Sequence, residues 1–215
     1  MRKSSPFTQS FEQLPKTLPI FPLSGAVVLP GGTLALNIFE PRYLNMLQDT
    51  MRGDRLIGMI QPKNELTPTV LHTIGCAARV VSYSETKDGR LEILLEGICR
   101  FTIIEEFSTM RGYRLVKPSW RDYEDDFKSP VAADAQNSLI FMNALRSYFN
   151  QHNIDVDWSN INELPQETLV NNLVGQLALS NDNKQLLVEA KSLNDRIKVF
   201  AAILAEIEND HETRH

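Results

Sequence analysis

Cysteine is scarce in this sequence, with only two among 215 residues. Two thiols cannot build a disulfide framework in a chain of this length, and alone they cannot complete a structural zinc site. Cys76 and Cys99 each lie within an apolar, strand-like run. We therefore predict that both are buried, free thiols.

Long hydrophobic runs are also missing. No uninterrupted apolar stretch approaches the ~18 residues that a membrane-spanning helix needs. The basic residues of the amino-terminal MRKSSPFTQSFEQLPK are not followed by the apolar segment of a secretory signal. With 42% hydrophobic and 23% charged residues, the composition is that of a soluble globular protein. We predict a cytoplasmic protein that makes no membrane contact.

Signatures of catalysis and of cofactor binding are absent. The sequence contains neither GxxxxGK[ST] nor GxGxxG, and its ten glycines are scattered. It has no HExxH pattern and no paired cysteines, which argues against a metal site. The acidic run DYEDD at 122–126 lacks the spacing of an EF-hand loop, so we interpret it as a solvated linker. We predict no catalytic residues, no cofactor and no metal.

One apolar loop is prominent enough to suggest an active site. In LSGAVVLPGG, Ser24 is the only serine, and Pro30-Gly31-Gly32 follows an apolar run. A nucleophile needs a base within hydrogen-bond reach, and no serine elbow is recognisable here. Glycine adopts positive φ without steric cost. We therefore interpret the loop as a sharp turn that serves as scaffolding.

Charge divides the chain into two unlike halves. Residues 1–121 hold 15 Lys and Arg against 11 Asp and Glu, whereas residues 122–215 hold 7 against 16. The net charges are +4 and −9. Binding a nucleic-acid phosphate backbone requires a strong positive potential, and a net charge of +4 over the first half gives only a weak one. The distribution argues against nucleic acid as a partner.

The first half has the pattern of short strands. Apolar residues alternate with polar ones from Thr33 to Ile38, and the turn signal KDG lies between two further runs. Five to seven strands are expected, and the apolar runs are RLIGMI, CAARVVSY, RLEILLEG, CRFTIIEEF and YRLVKPSW. One helix, EPRYLNMLQDTM, interrupts them, and its inward face is predicted to carry Leu44, Leu47 and Met51. This pattern favours a barrel or a strongly curved sheet.

The second half has helical spacing. A first helix is predicted from the N-cap pair Ser129-Pro130, and a last helix from Ser192, where Asp195 resembles a capping-box partner. The apolar residues at helical spacing in the three predicted helices are Val131, Ala135, Leu139, Met142 and Phe149, then Leu169, Leu173 and Leu177, then Ile197, Phe200, Ala201 and Leu204.

Several blocks of the sequence, in order, resemble one known family. LPIFPLSGAVVLPGGTLALNIFEPRYLNML, GDRLIGMIQP, GCAARVV and LLEGICRFTI resemble the amino-terminal substrate-binding domain of the Lon proteases, in its stand-alone bacterial form. The segment LVNNLVGQLALSNDNKQLLVEAKSLNDRIKVF resembles the helical part that follows. The resemblance covers roughly Leu18 to Leu204. It implies an α+β fold, with a curved PUA-like β-barrel holding one short helix, followed by an α-helical bundle.

The resemblance also implies a domain plan. We expect a flexible tail at 1–17, the barrel at 18–121, an acidic linker at 122–129 and the helical bundle at 130–210. Neither the ATPase module nor the protease domain with its catalytic Ser and Lys is recognisable, so no enzymatic activity is expected.

For function, the resemblance implies a module that binds unfolded or extended polypeptide segments, as an adaptor or a holdase. The alternative is RNA binding, which PUA-like barrels carry out elsewhere. The densest part of the resemblance is FEPRY, in which Phe39 and Tyr43 flank Glu40 and Arg42. Aromatic residues beside an arginine are typical of an interface anchor, so these four residues form a candidate peptide-binding patch. Their alternative role is structural, as the start of a helix on which Arg42 pairs with a carboxylate of the bundle.

The missing motifs give a direct prediction. The purified 215-residue chain is expected to hydrolyse neither ATP nor peptides, because it has no phosphate-binding loop and no Ser-Lys dyad. The assays are release of phosphate and cleavage of a fluorogenic peptide. Steady turnover that survives repurification and disappears with a point mutation in this chain would contradict the prediction.

Overall fold

The computed structural model describes residues 10–64, 69–128 and 132–212. Within these ranges the chain forms six strands and six α-helices, a combination that confirms the predicted α+β class. The strands are β1 (Leu18–Pro22), β2 (Thr33–Ile38), β3 (Leu56–Ile60), β4 (Ile74–Glu85), β5 (Leu91–Ser108) and β6 (Arg114–Ser119). The helices are α1 (Pro41–Met51), α2 (Ala135–Gln151), α3 (Trp158–Glu163), α4 (Gln166–Gln176), α5 (Asn181–Glu189) and α6 (Leu193–Glu212). Two 3₁₀ helices span Phe11–Gln13 and Arg121–Phe127.

The strands pair in a ring to which one strand is added. β1 pairs in parallel with β3, and antiparallel pairings continue from β3 through β4, β5 and β6 back to β1. β2 lies outside the ring and pairs antiparallel with the first part of β5. The sheet is therefore strongly curved, and β2 lies beside it as a sixth strand.

The length of β5 differs from the prediction. RLEILLEG and CRFTIIEEF were expected to form two strands, but both lie in the single 18-residue strand β5. Gly97, between them, does not mark a turn. A Cβ atom there would lie 2.0 Å from the carbonyl oxygen of Leu29, so glycine lets another backbone approach. The predicted KDG turn does join β4 to β5, and Gly89 has a φ of 79°.

Helix α1 covers the barrel core with a face slightly different from the predicted one. Its buried residues are Tyr43, Met46, Leu47 and Thr50, whereas Leu44 and Met51 are only partly buried. The β5–β6 hairpin fixes the helix through Asp49. That carboxylate accepts hydrogen bonds from Arg111 at 2.6 Å and from the Tyr113 hydroxyl at 2.9 Å.

Helices α2 to α6 enclose a second core. The predicted residues of α4 and α6 are buried, and the Asp195 N–H donates to the Ser192 hydroxyl at 3.1 Å, which confirms the predicted start of α6. In α2, however, Leu139 is 62% exposed. The helix begins at Ala135 with Asp134 as its N-cap, and its buried side is formed by Phe141, Leu145, Tyr148 and Phe149. The predicted cap at Ser129-Pro130 and the predicted position Val131 lie outside the described residues.

The apolar loop before β2 joins the two cores. Val28 packs into the barrel core, whereas Val27 and Leu29 on either side of it pack into the helical core. Gly31, with a φ of 75°, donates its N–H to the Gly97 carbonyl at 2.8 Å. The interpretation of this loop as scaffolding is therefore supported by its position, because it is part of both cores.

A buried ion pair on the barrel side links the barrel to the helical bundle. Arg100 is 3% exposed and donates to Asp126 at 2.8 Å from its Nη2 atom. The same guanidinium donates to the carbonyls of Val188, at 3.3 Å, and Ala190 near the carboxyl end of α5. The run at 122–126 is thus no solvated linker, since the 3₁₀ helix Arg121–Phe127 buries Tyr123 and Asp126.

A second arginine acts from the helical side. Arg196 on α6 donates to the Leu187 carbonyl at 3.0 Å and to the Asn171 side chain at 3.0 Å. Asn171 in turn donates to the Pro30 carbonyl at 2.8 Å. Burial lowers the pKa of Arg196 to about 10, so it stays charged near neutral pH. Together, Arg100 and Arg196 satisfy the last carbonyls of α5 and tie them to the barrel.

The ion pair generates a stability prediction. Arg100→Met leaves Asp126 buried without its partner, and the free energy of unfolding should fall by about 3–5 kcal/mol. Adding Asp126→Leu to that variant should recover part of the loss, because no uncompensated charge remains. Denaturant unfolding measures both.

Arg42→Met is the control, because it removes an exposed pair with Glu40 and should cost less than about 1 kcal/mol. An Arg100→Met protein as stable as the control would contradict a stabilising role for the buried pair.

Candidate functional site

The four residues of the predicted binding patch do not share one environment. Phe39 lies between β2 and α1 and is 61% exposed, with the Arg90 guanidinium 5.7 Å from its ring centre. Glu40 is the N-cap of α1 and pairs with Arg42 at 2.8 Å. The expected pairing of Arg42 with a carboxylate of the bundle is therefore wrong, because Glu40 takes that place.

Tyr43 belongs to the barrel core. It is 6% exposed, and its ring centre lies 4.1 Å from that of Phe21. Burial raises the pKa of its hydroxyl. A binding role for the patch stays a prediction, and Phe39 is the aromatic side chain that a ligand can reach.

An open, mainly apolar groove lies between α1 and the outer part of the β4–β5 hairpin. We call it the α1 groove. Its volume is about 510 Å³. Its apolar lining consists of Leu44, Leu47 and Met51 from the helix and Tyr83 and Leu91 from the hairpin.

A second depression lies across the outer face of β2, β5 and β4. We call it the β2 trough, and its volume is about 580 Å³. Its lining includes Ala35 and Asn37 of β2, Glu92 of β5 and Ser82 of β4, together with the apolar Leu36, Ile93 and Leu94. Tyr83, which is 61% exposed, lines both depressions and so lies where they meet.

The backbone of β2 borders this trough. Among the described strands, β2 pairs with β5 alone. The Thr33 N–H points away from β5 and donates to the Asn172 side chain of α4 at 3.1 Å. Because the direction of backbone groups alternates in an antiparallel pair, those of Ala35 and Asn37 also face away from β5.

The chemistry of the described residues offers little to a reaction. In these parts of the chain, no group of three or more His, Cys, Asp or Glu residues could hold a metal ion. Cys76 and Cys99 are buried thiols outside any disulfide, as predicted, and burial raises the pKa of Cys76 to about 12. Such a thiol is not a nucleophile near neutral pH. No helix within the described ranges is both long enough and apolar enough to span a membrane.

Sequence reasoning missed Tyr83 and Leu91, which face α1 across the groove. Both lie in runs that were identified as strands. The KDG turn was an available signal, because Tyr83 lies shortly before it and Leu91 shortly after it. Residues 81 to 90 carry almost no burial, because the hairpin extends beyond the barrel core. Apolar side chains at such a place are candidates for binding rather than packing.

Comparison with known protein families gives a match over most of the chain. A family model described as the ATP-dependent protease La (LON) substrate-binding domain matches residues 17–206. Lon protease 2 of Myxococcus xanthus is 31% identical over 98 residues, which are 44% of this chain and 12% of that protein. The Lon protease of Heliobacterium modesticaldum is 26% identical over 214 residues, which are 92% of this chain and 25% of that protein. The chain thus spans a quarter or less of the length of these relatives.

Two solved structures have the same fold. The crystal structure of a Lon N-terminal domain protein from Xanthomonas campestris has a TM-score of 0.64 and 23% identity, covering 86% of this chain and 97% of that one. The N-terminal domain of the Mycobacterium avium complex Lon protease has a TM-score of 0.65 and 14% identity, covering 89% and 99%. The likeness at these identities establishes the fold alone.

The different environments of the two aromatics give a prediction. Tyr43→Ala should lower the free energy of unfolding by about 3–5 kcal/mol, because it opens a cavity against Phe21. Phe39→Ala should cost no more than about 1 kcal/mol, since only exposed contacts are lost. Denaturant titrations of both variants give the comparison. Equal losses would show that Phe39 is as deeply engaged as Tyr43.

Proposed function

Because the chain belongs to the LON substrate-binding domain family, we propose that it is a non-enzymatic module that holds unfolded or extended polypeptide segments, as an adaptor or a holdase. The observation that carries this proposal is the α1 groove. Its lining combines five apolar or aromatic residues with Asn45, Gln48 and Arg52, it is open to solvent, and the exposed ring of Phe39 precedes the same helix. A polypeptide that has lost its fold exposes apolar side chains, which such a groove can cover.

The composition of the groove supports binding of varied sequences. Leu44 and Met51 are only partly buried, and methionine in particular adapts its shape to different partners. Tyr83 adds a large, rigid ring on the opposite wall. The helix that carries the leucines is held by Asp49 against the β5–β6 hairpin, so the groove need not form at the moment of binding.

The charges of the barrel support a polypeptide rather than RNA. Five arginines of the barrel are engaged by carboxylates: Arg42 with Glu40, Arg90 with Asp88, Arg100 with Asp126, Arg111 with Asp49 and Arg114 with Glu106. Each pairing lowers the positive potential that a nucleic acid needs. The absence of an enzymatic role is supported by the match, which covers a substrate-binding domain.

The proposal is tested with an unfolded client. The protein should slow the aggregation of reduced insulin, measured by light scattering, without ATP. Tyr83→Ser should weaken this protection several-fold, because it removes apolar surface where the α1 groove meets the β2 trough. The melting temperature should change little, since Tyr83 is 61% exposed.

Leu186→Ser on α5 is the matched control, because Leu186 is 53% exposed on the helical side and its loss should leave protection unchanged. Equal protection by wild type and Tyr83→Ser would place the client elsewhere. A protein that gives no protection but binds single-stranded RNA in a fluorescence assay would replace this proposal with the RNA-binding alternative.

A further inference from the structure

The outer edge of β2 offers open backbone groups. The Gly97 N–H donates to the Gly32 carbonyl at 2.9 Å, which sets the register of β2 on β5. In that register the backbone groups of Leu34 and Leu36 bond to β5, and those of Ala35 and Asn37 face away from it. No hydrogen bond within the described part of the chain engages these outward groups. Two N–H groups and two carbonyls are therefore free to pair with another strand.

This edge lacks the usual protection against strand pairing. Edge strands are commonly blocked by a lysine, a proline or a bulge. The exposed side chains of β2, on the outer face of the sheet, are Thr33, Ala35 and Asn37. They are uncharged and small, and the β2–β5 register runs without a shift. The Asn172 side chain covers only the Thr33 end, so the edge is left open beyond that point.

The two faces of an added strand would meet different surroundings. On the inner face, Leu34 and Leu36 pack on the barrel core but remain half-exposed, because the sheet ends at β2. On the outer face, Glu92 is exposed, and its neighbours on the adjacent strands are the uncharged Asn37 and Ser84. The inner face would thus accept apolar side chains, and the outer face a cation.

The distance to Glu92 suits a long basic side chain. A strand added beside β2 lies two strand spacings from β5, or about 10 Å. A lysine or arginine on it can reach across Asn37 to the Glu92 carboxylate, because both side chains extend over the same face. A second copy of β2 would bring no cation to this position, since its outward residues are uncharged.

We propose that the outer edge of β2 binds an extended polypeptide segment of alternating apolar and basic residues, which adds to the sheet as a further strand. The inference rests on the proposed function, and it specifies the class of segment and its mode of binding. Main-chain pairing with Ala35 and Asn37 supplies sequence-tolerant contacts. Leu34 and Leu36 select apolar residues at every second position, and Glu92 selects a basic residue between them.

Short fluorescein-labelled peptides test the proposal by fluorescence anisotropy. A peptide of alternating valine and lysine should bind the intact protein. Its valine–glutamate counterpart should bind several-fold more weakly, because it places like charges near Glu92. The valine–lysine peptide carrying N-methyl groups on the backbone nitrogens of both edges should lose binding, since neither edge can then donate to β2.

Two variants of the protein locate the site. Ala35→Pro removes an outward N–H and blocks the incoming strand, and the fold should tolerate it because that N–H makes no bond to β5. It should abolish binding of the valine–lysine peptide. Glu92→Lys should reverse the preference between the two peptides, whereas Glu206→Lys, the same charge change on the exposed side of α6, should leave it unchanged. Should Ala35→Pro fail to fold, Glu92→Lys and the N-methylated peptide still decide the matter.

The outcomes separate this inference from the proposed function. Unchanged peptide binding by Ala35→Pro or by the N-methylated peptide overturns strand addition, and protection of reduced insulin that depends on Tyr83 then leaves the function standing. If neither the peptides nor insulin interacts with the wild-type protein, both proposals fail. A dimer in light scattering that Ala35→Pro dissociates assigns the edge to a second copy and also overturns the inference.

Discussion

The carboxyl end of α5 is the point on which the arrangement of the two halves depends. Its last carbonyls are buried, and buried carbonyls must be hydrogen-bonded. Arg100 from the barrel and Arg196 from α6 both donate to them, at the negative end of the helix dipole. Nearer the start of α5, the side chain of Gln185 donates to the Ile74 carbonyl at 3.1 Å and that of Lys184 to the Gly25 carbonyl at 2.9 Å. The helix is thus fastened to the barrel along its length.

This junction also decides which part of the barrel stays open. Gly32 lies against the backbone of α4, and the neighbouring Asn172 covers the Thr33 end of β2. The helices therefore stop where the free edge of β2 begins. The α1 groove lies still farther along, where the β5–β6 hairpin and not the bundle supports the helix. The bundle packs against one side of the barrel, and the candidate binding surfaces lie away from that contact.

Features that depend on neighbouring residues could be predicted from the sequence, and features that depend on a distant partner could not. The cap at Ser192 and the KDG turn are local, and both were predicted. Asp126 looked like part of a solvated run, because nothing nearby reveals that Arg100 lies 26 positions earlier on a buried strand. Tyr43 and Phe39 look equivalent in FEPRY, yet only the fold places Phe21 against one of them. From the sequence, the candidate site could be placed near FEPRY, but the residues that line it could not be identified.

The two proposed binding surfaces meet at Tyr83, and they would select a polypeptide by different physical interactions. The α1 groove offers apolar area, which is non-directional and accepts many side chains. The β2 edge offers directional main-chain groups, which accept any extended backbone other than one interrupted by proline. On these proposals the groove is tolerant of sequence and the β2 edge asks only for an alternation of apolar and basic residues, and an unfolded segment pays for its ordering when it binds. Weak, reversible holding of many different segments is the behaviour expected if both proposed surfaces bind polypeptide.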